Sequence, residues 1–142
     1  MNLEYKTTTK QIDWNCVRNL LLKEKMATYE IEKHKRAFEN SFKVIFVFDG
    51  QQLIGCGRLI SDGAYQGAIY DVAIDSSYQG MGIGKTMVMK LLENEEDKNT
   101  ILYATSGMEG FYSKLGFRKA KTGMCRFINP ESAIQKGFID EE

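Results

Sequence analysis

The sequence predicts an α/β protein of the mixed α+β kind: a central, mostly antiparallel sheet of six to seven strands flanked by about four helices, in a single domain spanning residues 1–142. Three observations predict it. Apolar runs of strand length, punctuated by Asp49-Gly50 and Asp62-Gly63, fill the first half of the chain. Apolar residues at helical spacing recur in four other segments. Between the two patterns lies Val72-Ala73-Ile74-Asp75-Ser76-Ser77-Tyr78-Gln79-Gly80-Met81-Gly82-Ile83-Gly84-Lys85, which reads as a strand, a glycine-rich loop and a helix start.

In chain order, Leu3 to Thr9 reads as the first strand. Asp13 is placed to cap the next helix, with Ile12 and Val17 set as a hydrophobic staple and Trp14, Val17, Leu20 and Leu21 forming its apolar face. A second helix runs from about Ile31 to Asn40, mostly charged around Ile31 and Phe38. Val44 to Phe48 is apolar at every residue, which suits a strand covered on both faces. Leu53 to Ser61 returns beside it, and Ala68 to Ile74 completes an antiparallel meander that feeds the loop. Beyond the loop, Met87, Val88, Leu91 and Leu92 recur at helical spacing. Ile101 to Ala104 reads as a short buried strand. Met108, Phe111, Tyr112 and Leu115 form a helical stripe that Gly116 ends. Arg118 to Lys121 and Met124 to Ile128 are expected to close the sheet as a last antiparallel pair.

The loop carries the chemistry. Glycines let backbone N–H groups approach a ligand that a Cβ would hold off. A helix starting behind them adds unpaired donors and a positive dipole end, so the expected guest is a phosphate or diphosphate. Gly84-Lys85-Thr86 matches the end of a nucleotide P-loop, but its first glycine would fall on Gln79. The dinucleotide fingerprint fails too, because its third glycine would fall on Lys85. The pattern that fits is Q/R-x-x-G-x-G/A, filled by Gln79, Gly82 and Gly84.

With that pattern the chain resembles the GNAT superfamily of acetyl-CoA-dependent N-acetyltransferases. Thr105-Ser106-Gly107-Met108-Glu109-Gly110-Phe111-Tyr112-Ser113-Lys114-Leu115-Gly116-Phe117 is similar to the family's late FYxxxGF segment and follows in the family's order. The likeness runs from about Val44 to Phe117. Arg58 to Asp62 and Ile69 to Val72 look most like the small single-domain branch of bacteria and chloroplasts. The resemblance implies the GNAT fold, acetyl-CoA as cosubstrate and an amine acceptor. It implies cofactor contacts from Val72, Ala73, Ile74, Gln79, Gly80, Met81, Gly82, Ile83, Gly84 and Lys85, with Thr105 and Phe111 beside them. Tyr112 matches the family tyrosine beside the thioester sulfur.

Amide formation from a thioester needs a held acyl donor, an uncharged amine and a proton for the departing thiolate. An alkyl amine of pKa ~10.4 costs about 4.6 kcal/mol to neutralise at pH 7. Family members often place a Glu or His at positions matching Ala68 and Tyr70, and this chain departs from them. Tyr70 and Asp71 remain as catalytic candidates, with strand alternation setting Asp71 on the face opposite Tyr70. A buried partner for a structural donor is an equal role for Asp71, and proton removal through water is the favoured route. Tyr112 is the candidate acid. A small primary amine is the expected acceptor. A protein amine, and a CoA-binding module that has lost chemistry, are the alternatives. Tyr29, Glu30, Glu32, Arg58 and Asp62 are candidates to meet the acceptor.

Composition sets the exclusions. Net charge is zero, so the footprint of nucleic-acid binding is missing. No apolar run reaches about 18 residues, so no membrane span is expected, and Met1 to Lys6 has no signal-peptide core. Cys16, Cys56 and Cys125 form no CxxC pair, which argues against a disulfide scaffold or a metal site and for a cytoplasmic protein. Cys56 reads as core. His34, the only histidine, is expected to be exposed and idle between Lys33 and Lys35. Glu93 to Asp97 reads as a solvated helix end. Ile134, Phe138 and Ile139 leave a homodimer open.

Overall fold

In a computed structural model, all 142 residues are described. The chain divides into two compact units, Met1–Ile101 and Leu102–Glu142.

The first unit holds one mixed sheet of five strands in the order β1-β2-β3-β4-β5. These are β1 (Leu3–Lys6), β2 (Lys43–Asp49), β3 (Gln52–Ser61), β4 (Gln66–Ile74) and β5 (Asn99–Ile101). The first three pairings are antiparallel, and β4 pairs β5 in parallel. Gly50 (φ 61°) and Gly63 (φ 72°) make the two expected turns in left-handed backbone. At the second turn Asp62 Oδ1 accepts N–H bonds from Ala64, Tyr65 and Gln66, which hold the turn.

Helix α1 (Trp14–Lys23) starts where expected, with Asp13 accepting the Asn15 N–H at 3.0 Å. Its buried residues Val17, Leu20 and Leu21 join Ile12, Phe38 of α2 (Ile31–Glu39), Val44 and Phe46 of β2, and Cys56 and Ala73 in one core. The opposite sheet face receives α3 (Ile83–Leu92) through buried Met87, Val88 and Leu91. A Cβ on Gly55 would meet Met87 Sδ at 3.0 Å, and one on Gly57 would meet Leu91 at 3.3 Å, so these glycines set how closely α3 sits. Helices on both faces explain why β2 is apolar at every position from Val44 to Phe48.

Several expectations change. The first strand ends at Lys6 because the chain turns at Thr8–Gln11, with Gln11 at φ 59°. The short strand is Asn99–Ile101, and Ile101 is exposed, as befits a three-residue edge with one neighbour. Glu95 is buried inside the acidic run, bonded to Lys43 (2.9 Å) and Lys98 (3.2 Å). No helix is long and apolar enough to cross a membrane.

The second unit contains α4 (Glu109–Ser113) and α5 (Pro130–Gln135). Gly116, at φ 96°, donates to Ser113 O while Phe117 donates to Tyr112 O, the paired bonds of a Schellman end. Arg118–Lys121 and Met124–Ile128 form no strands, so the sheet stops at five. Met124 and Ile128 are fully solvent-exposed, and Phe127 alone of that run packs, against Tyr103 (5.3 Å) and Phe138 (5.9 Å). Alternating polarity marks a segment that can line a sheet, but pairing needs a partner edge that the local sequence does not specify.

Candidate active site

The site begins on β4. Its pairing with β5 covers only Gln66, Gly67 and Ala68, so from Ile69 to Ile74 that edge has no strand neighbour. On the β3 side, Tyr70 opposes Arg58 and Ala73 opposes Cys56, leaving Asp71 and Val72 to share Gly57. Two residues against one make a β-bulge, and Asp71 supplies its left-handed residue at φ 57°. Strain of this kind, with no glycine to relieve it, collects at functional sites. The bulge breaks the strand's alternation, and the expected opposition of Tyr70 and Asp71 fails with it. Both side chains meet Arg58. Its Nε donates to Asp71 Oδ2 at 2.7 Å, and its guanidinium lies 5.4 Å from the Tyr70 ring centre.

Below β4 the chain enters the glycine loop through a polar frame. Asp75 is buried and accepts from Lys23 Nζ (2.8 Å) and Ser77 N (2.9 Å), and the lysine contact above all holds its carboxyl below the ordinary range. Glu24 accepts from Ser76 N at 3.1 Å, and Tyr78 hydroxyl donates to Asp49 at 2.6 Å. Gln79 uses its side-chain amide on Ile74 O (3.1 Å) and Glu24 (3.3 Å), so it fastens the loop to the strand end. Gly80 (φ 82°) and Gly82 (φ 79°) adopt backbone that other residues resist, and no atom lies within 4 Å of a Cβ built on either.

Gly82 then caps α3. The helix's first intrahelical donor is Thr86, bonded to Gly82 O at 3.2 Å. The N–H groups of Ile83, Gly84 and Lys85 precede it and have no helical acceptor. Met81 and Lys85 are exposed, whereas Ile83 and Gly84 are buried. Open donors, left-handed glycines and a helix dipole suit a diphosphate. No group of three or more His, Cys, Asp or Glu side chains gathers to hold a metal ion.

Beside the bulge lies a cluster the sequence did not announce. His34 is buried, and its Nε2 accepts the Tyr29 N–H at 2.9 Å, while Arg18 Nε donates to Tyr29 O at 2.8 Å. Burial lowers the His34 pKa, with Arg18 and Arg58 lowering it further and Asp71 opposing them. The ring is therefore neutral and structural, not exposed and idle. A histidine with a depressed folded pKa costs stability as pH falls below its unfolded value of about 6.5, because only the unfolded chain takes the proton. Thermal unfolding from pH 7.5 to 5.5 should show the midpoint falling, and His34→Gln should flatten that fall. A variant that tracked the parent throughout would remove His34 as the cause.

The remaining candidates belong to the second unit. Tyr112 is on α4, half-buried, with its ring 5.0 Å from Phe111 and 5.8 Å from Phe117. Burial raises its phenol pKa above the ordinary value. Thr105 is exposed and accepts the Met108 N–H at its carbonyl, closing the turn that starts the helix.

Against known proteins, residues 10–117 match the model of the acetyltransferase (GNAT) family. A chloroplastic GCN5-related N-acetyltransferase 2 of Arabidopsis thaliana is 39% identical over 77 residues, covering 52% of this chain and 30% of that protein. An uncharacterized N-acetyltransferase, ycf52, of Gracilaria tenuistipitata var. liui is 37% identical over 94 residues, covering 61% and 52%. The chain thus spans between about a third and a half of these relatives. A GNAT family acetyltransferase structure from Streptococcus pneumoniae TIGR4 superposes with a TM-score of 0.74 at 27% identity, covering 89% of this chain and 98% of that one.

Proposed function

The chain belongs to the acetyltransferase (GNAT) family, and from that premise we propose that it transfers the acetyl group of acetyl-CoA to a primary amine of a small molecule by direct attack on the thioester. The observation that carries the proposal is the run from an unpaired strand edge, through a bulge, into an open cradle of N–H donors, all within Ile69 to Lys85.

Each part has a task. The donors of Gly80 to Lys85 hold the diphosphate, and the β4 edge from Val72 to Ile74 receives the pantetheine arm as an added strand. An N–H at the bulge polarises the thioester carbonyl, stabilising the negative charge that develops there. The amine nitrogen forms the C–N bond, the C–S bond breaks, and the nitrogen loses its proton to water. Asp71 is bound to Arg58, so its part is to hold that side chain rather than to take the proton. Tyr70 flanks the same guanidinium, and Thr105 and Phe111 serve as supports near the cosubstrate. Tyr112 supplies the proton that leaves CoA as a thiol.

Calorimetric titration with acetyl-CoA, using Mg-ATP as control, tests the loop's guest. Micromolar acetyl-CoA affinity with no ATP heat is expected. No heat with acetyl-CoA would overturn the assignment.

A further inference from the structure

We infer that Arg58 reads the acceptor, and that the acceptor is a small amine carrying an anionic group, a carboxylate or a phosphate; the inference rests on the acetyl-transfer reading above. A guanidinium has five N–H donors in a planar fork. In Arg58 the Nε donor goes to Asp71 at 2.7 Å and one Nη1 donor reaches Ser41 Oγ at 3.4 Å. The other donors have no protein acceptor. Nη2, which has no protein partner, is therefore not fully buried, because no buried side-chain nitrogen or oxygen in the protein lacks a partner.

The group is also fixed in place. Phe38 lies 5.7 Å and Tyr70 lies 5.4 Å from the guanidinium carbon, and only 15% of the Arg58 side chain is exposed. An arginine held by two rings and one carboxylate presents its remaining fork with little ordering left to do, which is the arrangement that binds carboxylate or phosphate through two hydrogen bonds. It stands opposite Tyr70, next to the bulge, where the amine must arrive.

Local charge points the same way. Two cations, Arg18 and Arg58, and one carboxylate, Asp71, act on the His34 ring, and that carboxylate is already paired with Arg58. A second cation on the acceptor is disfavoured there, and an anion restores balance. Asp71 is accordingly a positioning residue. It binds Arg58 through Nε and leaves Nη2 without a protein partner.

The test compares matched amines by thiol release: glycine with glycinamide, O-phosphoethanolamine with ethanolamine, and a lysine peptide and a diamine as cationic arms. The acidic member of at least one pair should show a kcat/KM about 10- to 100-fold above its neutral partner, as charged hydrogen bonds allow. The pair that responds distinguishes carboxylate from phosphate. Arg58→Gln should abolish that ratio while keeping acetyl-CoA affinity, and Arg58→Lys should restore it only in part, since an ammonium lacks the fork. Acetyl-CoA binding with no preference for an acidic amine, including the case where neither member reacts, overturns the inference. So does preference for the peptide or diamine, or a ratio unchanged in Arg58→Gln. Loss of acetyl-CoA binding in the parent protein instead removes the acetyl-transfer reading itself.

Discussion

Replacing Tyr112 with phenylalanine should lower kcat by about 10²- to 10⁴-fold, the range a positioned general acid contributes, while leaving acetyl-CoA affinity near that of the parent. The substitution keeps the ring and its contacts with Phe111 and Phe117 and removes only the hydroxyl. Burial already raises the phenol pKa above its ordinary ~10, so the hydroxyl stays protonated through neutral and mildly alkaline pH. The sign of the pH dependence follows. Between pH 6 and 9 the parent's rate should climb, because the acceptor amine loses its proton there and Tyr112 does not. A phenol facing a departing thiolate of pKa ~8.5 can deliver its proton at modest cost. Full activity in Tyr112→Phe across that range would reject Tyr112 as the acid.

How far the sequence reaches can be judged residue by residue. The Asp13 cap, both Asp-Gly turns and the glycine loop are local features, and each stands where the residues place it. His34 was legible too: it lies four residues before Phe38, so it shares that residue's buried face, but its flanking lysines masked the periodicity. The bulge left a fainter mark. Gly57, in the middle of β3, is the kind of strand glycine that accompanies a bulge, yet nothing in Tyr70-Asp71-Val72 identifies which partner residues share it. Glu95 meets Lys43 and Asp75 meets Lys23, each pair about 50 residues apart in sequence, so no window could reveal them. The missing closing strands failed for the same reason. A period-2 pattern specifies a face, not a partner.

Gly82→Val should weaken acetyl-CoA binding by about 100-fold or more while the sheet and core remain folded. Two effects act together. The φ of 79° is a left-handed conformation that costs an L-residue roughly 1–2 kcal/mol, and a β-branched side chain resists it further. The added methyl groups would also enter space where no atom now lies within 4 Å of the Cβ position, and on the proposed reading that space beside the first N–H groups of α3 holds the diphosphate. Losing even two charge-assisted bonds, at about 1.5–3 kcal/mol each, exceeds the strain in consequence for binding. The order of effects separates them. Strain alone should appear as a lower unfolding midpoint with little change in affinity, whereas blocked donors should appear as lost affinity with a modest change in midpoint. Gly80→Ala, at a similar φ of 82° but farther from the cap and with one methyl, should cost less of both. Unchanged acetyl-CoA affinity in Gly82→Val would mean that the diphosphate is held elsewhere, and the cradle from Gly80 to Lys85 would lose its assigned role.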